Sequence, residues 1–153
     1  IADVNRSKRE LERLKRIART EGMWDPTEGG ADAVRFRDQI ALLEVDIVAL
    51  EMLVLRVLSA EKSGKNSLDI AGLLKIKGSE IQQRYAELMM LAAGPFAMPF
   101  IEEAMEAGWQ GNFPGGVVAN APLASTYFNL RKTTIYGGSN EVQRNIVAQT
   151  VLG

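Results

Sequence analysis

Apolar residues recur at helical spacing along almost the whole chain, and this period constrains the fold more than any other feature. Residues 1–19 place apolar side chains three or seven positions apart, as on one side of an amphipathic helix that starts at Ile1. Further helical segments are predicted over residues 32–62, 68–91 and 139–152. Segments that alternate apolar and polar residues, as strands do, are lacking. The pattern therefore favours a helical protein.

Glycine, proline and polar residues separate these segments. A stretch rich in glycine and proline occupies residues 21–30, a polar turn occupies 63–67, and Gly94 followed by Pro95 ends the third helix. Shorter helices are predicted over residues 99–107 and 119–131. Long helices joined by short turns predict an all-α fold, an antiparallel four-helix bundle with additional short helices. We expect one domain over residues 1–153, with the second helix packed on two or three sides.

Composition excludes several kinds of chemistry. The chain has no cysteine and no histidine, which removes disulfides, thiol nucleophiles, Cys/His zinc sites and histidine-dependent triads. No metal site is therefore expected. Two carboxylate clusters remain, one at residues 44–51 and one at 102–106, and both are predicted to lie on helix surfaces because histidine-containing di-iron spacing is absent.

Charge and hydropathy give no sign of a nucleic-acid or membrane partner. The net charge is −1, and the basic residues of the first helix are diluted by Asp3, Glu10 and Glu12, with no aromatic residue between them for base stacking. We interpret this helix as solvated or facing another subunit. The most apolar stretch, residues 40–58, is interrupted by charges, and no segment of the given sequence reads as an export signal. These features predict no membrane span and a cytoplasmic protein.

Two consecutive glycines stand immediately before the last helix. Gly137 and Gly138 permit positive φ and close approach of the backbone to another group. Ser139 or Asn140 can cap the helix, and Asn140 with Gln143 has the spacing of a capping box. From the residues alone, two interpretations stay open: a Gly-Gly turn between helices, or a cradle for a phosphate or the polar edge of a cofactor.

The longer string Tyr-Gly-Gly-Ser-Asn-Glu-Val-Gln-Arg-Asn-Ile, residues 136–146, resembles the C-terminal signature of the acyl-CoA dehydrogenase family. These are flavoproteins that oxidise acyl thioesters between the α and β carbons, and they function in fatty acid metabolism. Residues 74–80 and the helix end at 93–95 support the resemblance more weakly. The resemblance covers the family's C-terminal all-helical domain, so we expect this chain to be part of a longer polypeptide. It implies an FAD-dependent enzyme at full length and an inactive isolated domain without FAD.

The resemblance also implies the site residues. The positions that contact the flavin in the family correspond here to Tyr136, Gly137, Gly138, Ser139 and Glu141. One branch of the family has its catalytic glutamate directly after the tyrosine, where this chain has a glycine. No catalytic residue is therefore assigned within the chain. The resemblance places the alternative base, used by other members at the start of the first helix, upstream of Ile1.

Departures from the family pattern keep a second hypothesis open. The turn after the first helix, residues 19–24, replaces the Arg-x-x-Phe-Gly turn that often contacts FAD across a subunit boundary. This replacement implies that the flavin is held differently, or weakly, or by a partner subunit. The alternative function is therefore a non-catalytic helical oligomerisation or partner subunit. The implied partners are an acyl-CoA substrate, an electron acceptor such as an electron-transfer flavoprotein, and a homo-oligomer (dimer or tetramer) or a hetero-oligomer with a related subunit.

Overall fold

The computed structural model describes residues 3–62, 68–111 and 120–152, and these form α-helices, 3₁₀ turns and loops without a strand. The α-helices are α1 (Val4–Thr20), α2 (Pro26–Lys62), α3 (Leu68–Ala93), α4 (Leu123–Leu130) and α5 (Asn140–Leu152). The predicted all-α class is confirmed. The predicted polar turn at 63–67 lies outside the described residues.

The first helix differs from the sequence prediction at its beginning. We expected it to start at Ile1, whereas α1 begins at Val4. The reason is an N-cap at Asp3, which has extended backbone angles and whose carboxylate accepts the Arg6 backbone N–H at 2.8 Å. Ile1 itself lies outside the described residues. The expectation of a catalytic base upstream of Ile1 therefore stays a prediction.

Helix α3 is the centre of the molecule, because it contacts each of the other four α-helices. Its residues Tyr85 and Leu88 are almost fully buried, and they belong to one apolar cluster with Leu14 of α1 and Leu50 of α2. Burial of large apolar side chains is the dominant favourable term in folding. The arrangement therefore depends on α3 more than on any other element.

Ion pairs show that neighbouring long helices run antiparallel. Lys8 pairs with Glu51 at 2.7 Å and Lys15 with Glu44 at 3.1 Å, so residue numbers rise along α1 as they fall along α2. The same holds between α2 and α3, through the pairs Asp46–Lys77 and Gln39–Arg84. The carboxylates of residues 44–51 thus lie at the helix surface, as predicted, and contact neighbouring helices. Exposed pairs of this kind stabilise the fold only weakly.

Other helix boundaries also differ from the sequence prediction. Helix α2 has an additional first turn from Pro26, because Asp25 accepts hydrogen bonds from the Thr27 and Gly29 backbone N–H groups, and the continuous helix after Gly30 agrees with the predicted start near residue 32. Gly30, with φ 56°, then kinks the helix. The predicted helix at 99–107 is only a 3₁₀ turn, Glu102–Met105. The predicted helix at 119–131 is α4, which continues as a 3₁₀ turn, Arg131–Thr134.

Helix α2 packs on two sides, against α1 and α3, and leaves a third side uncovered by the described residues. Large apolar side chains on this side are about half exposed or more, namely Leu42, Val45, Val48, Met52 and Leu55. The sequence pattern did not distinguish them from the core leucines of the same helix. None of the helices in the described ranges has an apolar run of the length that a bilayer crossing requires.

Candidate functional site

The twin-glycine bend, defined here as residues 136–139, connects the 3₁₀ turn Arg131–Thr134 to α5. The Tyr136 backbone N–H donates to the Lys132 carbonyl at 3.2 Å and closes the turn. Gly137 and Gly138 follow with φ of 70° and 82°, in the left-handed region where residues with a Cβ are disfavoured. The local sequence therefore forces the chain to reverse here and to enter α5 at once.

Ser139 caps α5. Its hydroxyl accepts the Val142 backbone N–H at 3.4 Å, and its carbonyl accepts the Gln143 backbone N–H at 2.9 Å. The sequence allowed either Ser139 or Asn140 as the cap, and the structure selects the serine. The capping box between Asn140 and Gln143 does not form, because the Gln143 amide instead donates to the Gly137 carbonyl at 3.2 Å.

Asn140 is buried against α3 and anchors the bend. Only 3% of its surface is exposed. Its Oδ1 accepts a hydrogen bond from Lys75 Nζ at 2.7 Å, and its Nδ2 donates to Ser79 Oγ at 3.1 Å. Lys75 Nζ also donates to the Thr134 carbonyl at 3.2 Å, so one ammonium group joins both arms of the bend. The bend is thus fixed to the central helix on its inner side.

Sequence reasoning did not give Lys75 or Ser79 a role. Residues 74–80 contributed to the family resemblance, but nothing in the local pattern indicated contact with a residue more than sixty positions away. A lysine on a helix surface is ordinarily solvated. Lys75 points inward only because α3 packs against α5.

Replacing Asn140 by alanine is expected to lower the free energy of unfolding by about 1–3 kcal/mol. The buried Ser79 hydroxyl and the Lys75 ammonium would each lose a hydrogen-bond partner, and water could replace that partner only poorly. Urea unfolding followed by circular dichroism measures the change. Asn145→Ala on the exposed side of α5 is the matched control, because it makes the same substitution in the same helix at an exposed position. Equal losses in the two variants would contradict the anchoring role.

A second set of contacts holds the 3₁₀ turn before the bend. The Gln83 side-chain amide donates to the carbonyls of Leu130 and Arg131 at 3.3 and 3.1 Å. In return the Arg131 guanidinium donates to the Gln83 carbonyl at 3.1 Å and lies 4.4 Å above the Tyr127 ring. Both segments that enter and leave the bend are therefore bound to α3.

The outer side of the bend is open. Tyr136 is 45% exposed, and both glycines are exposed as well. A Cβ on Gly138 would lie 2.6 Å from Gln143 Nε2, whereas the glycine hydrogen leaves the backbone accessible. The Gln143 side chain lies against Gly138 and its amide donates to the Gly137 carbonyl, but Tyr136 and both glycines stay exposed among the described residues. A flat group can therefore approach the backbone here, as the cradle interpretation requires.

Glu141 lies beside the cap and is exposed. Hydrogen bonds from its own backbone N–H and from the Ser139 hydroxyl hold the pKa of its carboxyl below the ordinary value of 4.5. A carboxylate in the first turn of a helix is also favoured by the helix dipole. The five residues that the sequence singled out, Tyr136, Gly137, Gly138, Ser139 and Glu141, thus lie at the bend and in the first turn of α5, and their roles stay predictions.

Replacing Ser139 by alanine is expected to raise the pKa of the Glu141 carboxyl toward its ordinary value, because one of the two hydrogen bonds to the charged form disappears. A carboxyl whose pKa is lower in the folded than in the unfolded protein stabilises the fold at a pH above the unfolded pKa, and this contribution is lost as the pH falls through the folded pKa. Because the Glu141 contribution is smaller in the variant, the variant should lose less stability on acidification than the original protein. Titration of side-chain carbon resonances by NMR measures the shift. Asp25, whose pKa is lowered by Thr27, is the internal control in the same spectra. An unchanged Glu141 pKa would contradict the contact.

Comparison with protein families identifies the domain. The family model "Acyl-CoA dehydrogenase, C-terminal domain" matches residues 7–152. The chain belongs to this family. The match includes the twin-glycine bend and all five described α-helices except the first residues of α1, so it confirms the resemblance drawn from residues 136–146. A search of curated proteins found no significant match.

Membership of the acyl-CoA dehydrogenase C-terminal domain family accounts for the all-helical fold and indicates an oxidoreductase-type protein. Gly137 follows Tyr136 directly in the bend. A glycine has no side chain to accept a proton, so this position of the bend contributes backbone only. The other carboxylates, at residues 102–106, are exposed on a separate 3₁₀ turn.

Proposed function

We propose that this chain is the C-terminal bundle of an FAD-dependent acyl-CoA dehydrogenase, an enzyme that dehydrogenates an acyl-CoA thioester between its α and β carbons. The observation that supports the proposal is the twin-glycine bend, whose outer side is open and whose inner side is fixed to α3. Rigid support with a bare backbone is what a bound planar cofactor needs. The family match supports the same class of cofactor.

Each residue of the bend has a defined part in this proposal. Gly137 and Gly138 present backbone without side chains to the flavin ring and the thioester, and Tyr136 borders them. The Ser139 hydroxyl and the Glu141 carboxylate supply polar contacts to the nucleotide. The flavin, when bound, supplies the hydride acceptor for the reaction. The base that removes the α proton is proposed to come from polypeptide upstream of Ile1, so the isolated domain should be inactive.

The proposal extends to partners. An acyl-CoA is the proposed substrate, and an electron-transfer flavoprotein is the proposed acceptor of the electrons. The proposed assembly is a homo-oligomer, dimer or tetramer, or a hetero-oligomer with a related subunit. These follow from the family resemblance.

The experiment uses the complete polypeptide that contains this sequence, purified without added flavin. Its visible spectrum should show flavin absorption, and an acyl-CoA added without oxygen should bleach it as the flavin is reduced. Acyl-CoAs of several chain types are compared, with free CoA as the control ligand. A flavin-containing protein that no acyl-CoA bleaches would contradict the substrate class, and a colourless one would contradict the enzyme assignment.

Gly137 supports a second candidate, a non-catalytic partner subunit that lacks its own base. A colourless polypeptide that forms a stable complex with a catalytic homologue would support this function. Activity of the complex should then depend on the homologue's glutamate and not on any carboxylate of this chain. A polypeptide that is active alone would exclude it.

A further inference from the structure

Two lysines of α3 that stand two positions apart use their ammonium groups differently. Lys77 pairs with the carboxylates of Asp46 and Glu80 at 3.7 and 3.4 Å, in the exposed ion pairs that are typical of a surface lysine. Lys75 donates instead to two uncharged oxygen atoms, and these lie on either side of the twin-glycine bend. Lys75 is therefore part of the internal support of the bend, whereas Lys77 is not.

The two oxygen atoms that Lys75 binds belong to the two arms of the bend. Thr134, whose carbonyl accepts at 3.2 Å, is the last residue of the 3₁₀ turn that enters the bend, and Asn140, whose Oδ1 accepts at 2.7 Å, is the first residue of α5. Residues 135–139 lie between these two points and include both glycines. Hydrogen bonds from a charged donor are stronger than those between neutral groups. One ammonium group therefore sets how far apart the two arms stand.

Each arm also has an attachment to α3 that does not involve Lys75. The Gln83 side-chain amide donates to the Arg131 carbonyl at 3.1 Å in the entering turn. In the leaving arm, Asn140 Nδ2 donates to Ser79 Oγ at 3.1 Å. Both attachments would remain if the ammonium group were removed. The helices would then stay packed, while the separation of the two arms would be fixed less tightly.

The glycines make the geometry of the bend dependent on such support. Gly137 and Gly138 are exposed and have φ of 70° and 82°, and glycine has more conformational freedom to lose than any other residue. A binding surface has to be held within about 0.5 Å of the productive geometry by the groups behind it. An exposed pair of glycines cannot supply this precision alone, so it has to come from the residues that fix the two arms.

The positive charge of Lys75 also acts beyond its own hydrogen bonds. The pKa of the Glu141 carboxyl is lowered by hydrogen bonds from its own backbone N–H and from the Ser139 hydroxyl, and further by the charges of Arg144 and Lys75. The two oxygen atoms that Lys75 binds are neutral, so they do not cancel its charge. The group that joins the arms thus also favours negative charge near the bend.

We propose that Lys75 is a positioning residue of the flavin site. Its ammonium group holds the two arms of the bend at the separation at which the backbone of Gly137 and Gly138 accepts the cofactor, and it acts through that backbone. The inference rests on the function proposed above, since it concerns the fit of the bend to the flavin. It predicts that loss of the Lys75 ammonium group weakens flavin binding much more than it weakens the fold.

The affinity for FAD of three variants tests the inference. The complete polypeptide that contains this sequence is prepared as Lys75→Met, Lys75→Arg and Lys77→Met, and each is titrated with FAD after removal of bound flavin. Lys75→Met should bind FAD about tenfold or more weakly than the original, because both charged hydrogen bonds to the arms are lost. Lys75→Arg should recover most of the affinity, since a guanidinium keeps the charge and donates to more than one acceptor. Lys77→Met, the matched control, should bind FAD like the original.

A comparison with Leu88→Ala separates positioning from general loss of stability. Leu88 is fully buried in the core, so this variant should lose more stability in urea unfolding than Lys75→Met and yet keep more of its affinity for FAD. The inference is overturned if Lys75→Met binds FAD as tightly as the original, if Lys75→Arg is as weak as Lys75→Met, or if affinity simply follows stability across the variants. Each of these results leaves the proposed function standing. An original polypeptide that binds no FAD would instead overturn both.

Discussion

Valine in place of Gly138 is expected to reduce flavin binding by the complete polypeptide about tenfold or more. Gly138 has φ of 82°, where a β-branched residue is strained by about 1–3 kcal/mol. Its Cβ would also meet Gln143 Nε2 at 2.6 Å and push that side chain away from the Gly137 carbonyl. Since 1.4 kcal/mol corresponds to a factor of about ten, strain of this size at the cradle is enough for the loss. Flavin absorbance per subunit, measured after dialysis against known free FAD, gives the affinity.

The control must separate strain at the bend from strain in general. Gly108 also has φ of 82°, lies on a different loop and has open space where a Cβ would stand. Gly108→Val should therefore cost comparable backbone strain and leave flavin binding unchanged. Flavin occupancy that survives Gly138→Val, or that falls equally in both variants, would count against the bend as the flavin contact.

Leu88→Ala should destabilise the domain by about 2–5 kcal/mol. Leu88 lies on α3 with none of its surface exposed, and the smaller side chain would leave a cavity at the junction of several helices. Domains of this size are stable by only about 5–15 kcal/mol, so a large part of the total would be lost. The midpoint of urea unfolding at unchanged slope measures the effect.

Leu91→Ala is the matched control for this substitution. It lies three residues further along the same helix, with 51% of its surface exposed, so it makes the same change with far less burial. The loss there should stay below about 1 kcal/mol. If the two variants lost equal stability, α3 would not be the buried centre of the domain.

The glycine bend and the helical class were both predictable from sequence, for different reasons. Apolar residues three or four positions apart form one side of a helix, whereas a strand would need alternating apolar and polar residues. The all-α class therefore follows from the pattern alone. The twin-glycine bend was predictable because a sharp turn into a helix needs residues with positive φ, and glycine adopts that conformation without steric cost. The family resemblance, now confirmed, added the chemistry that geometry could not give. The residue roles at the bend, and the base upstream of Ile1, stay predictions.

The orientation of Asn140 could not be predicted from sequence. Ser139 and Asn140 are equally able to cap a helix, and the local sequence contains nothing that favours one. Asn140 turns inward because Lys75 and Ser79 of α3 offer it two buried hydrogen bonds across the helix interface. A contact between residues this far apart in the chain exists only once the helices are packed.

The amino-acid sequence by itself determined that this chain is helical, where its twin-glycine bend lies and which family it belongs to. The spacing of apolar residues, the position of glycines and a long specific motif are all local properties of the chain. The tertiary structure decided which apolar side of each helix is covered. Leu42 and Leu43 are adjacent and chemically identical, yet one is 67% exposed and the other 1%. The difference arises because α1 and α3 cover only part of α2, and hydrophobic burial depends on the partner as much as on the residue.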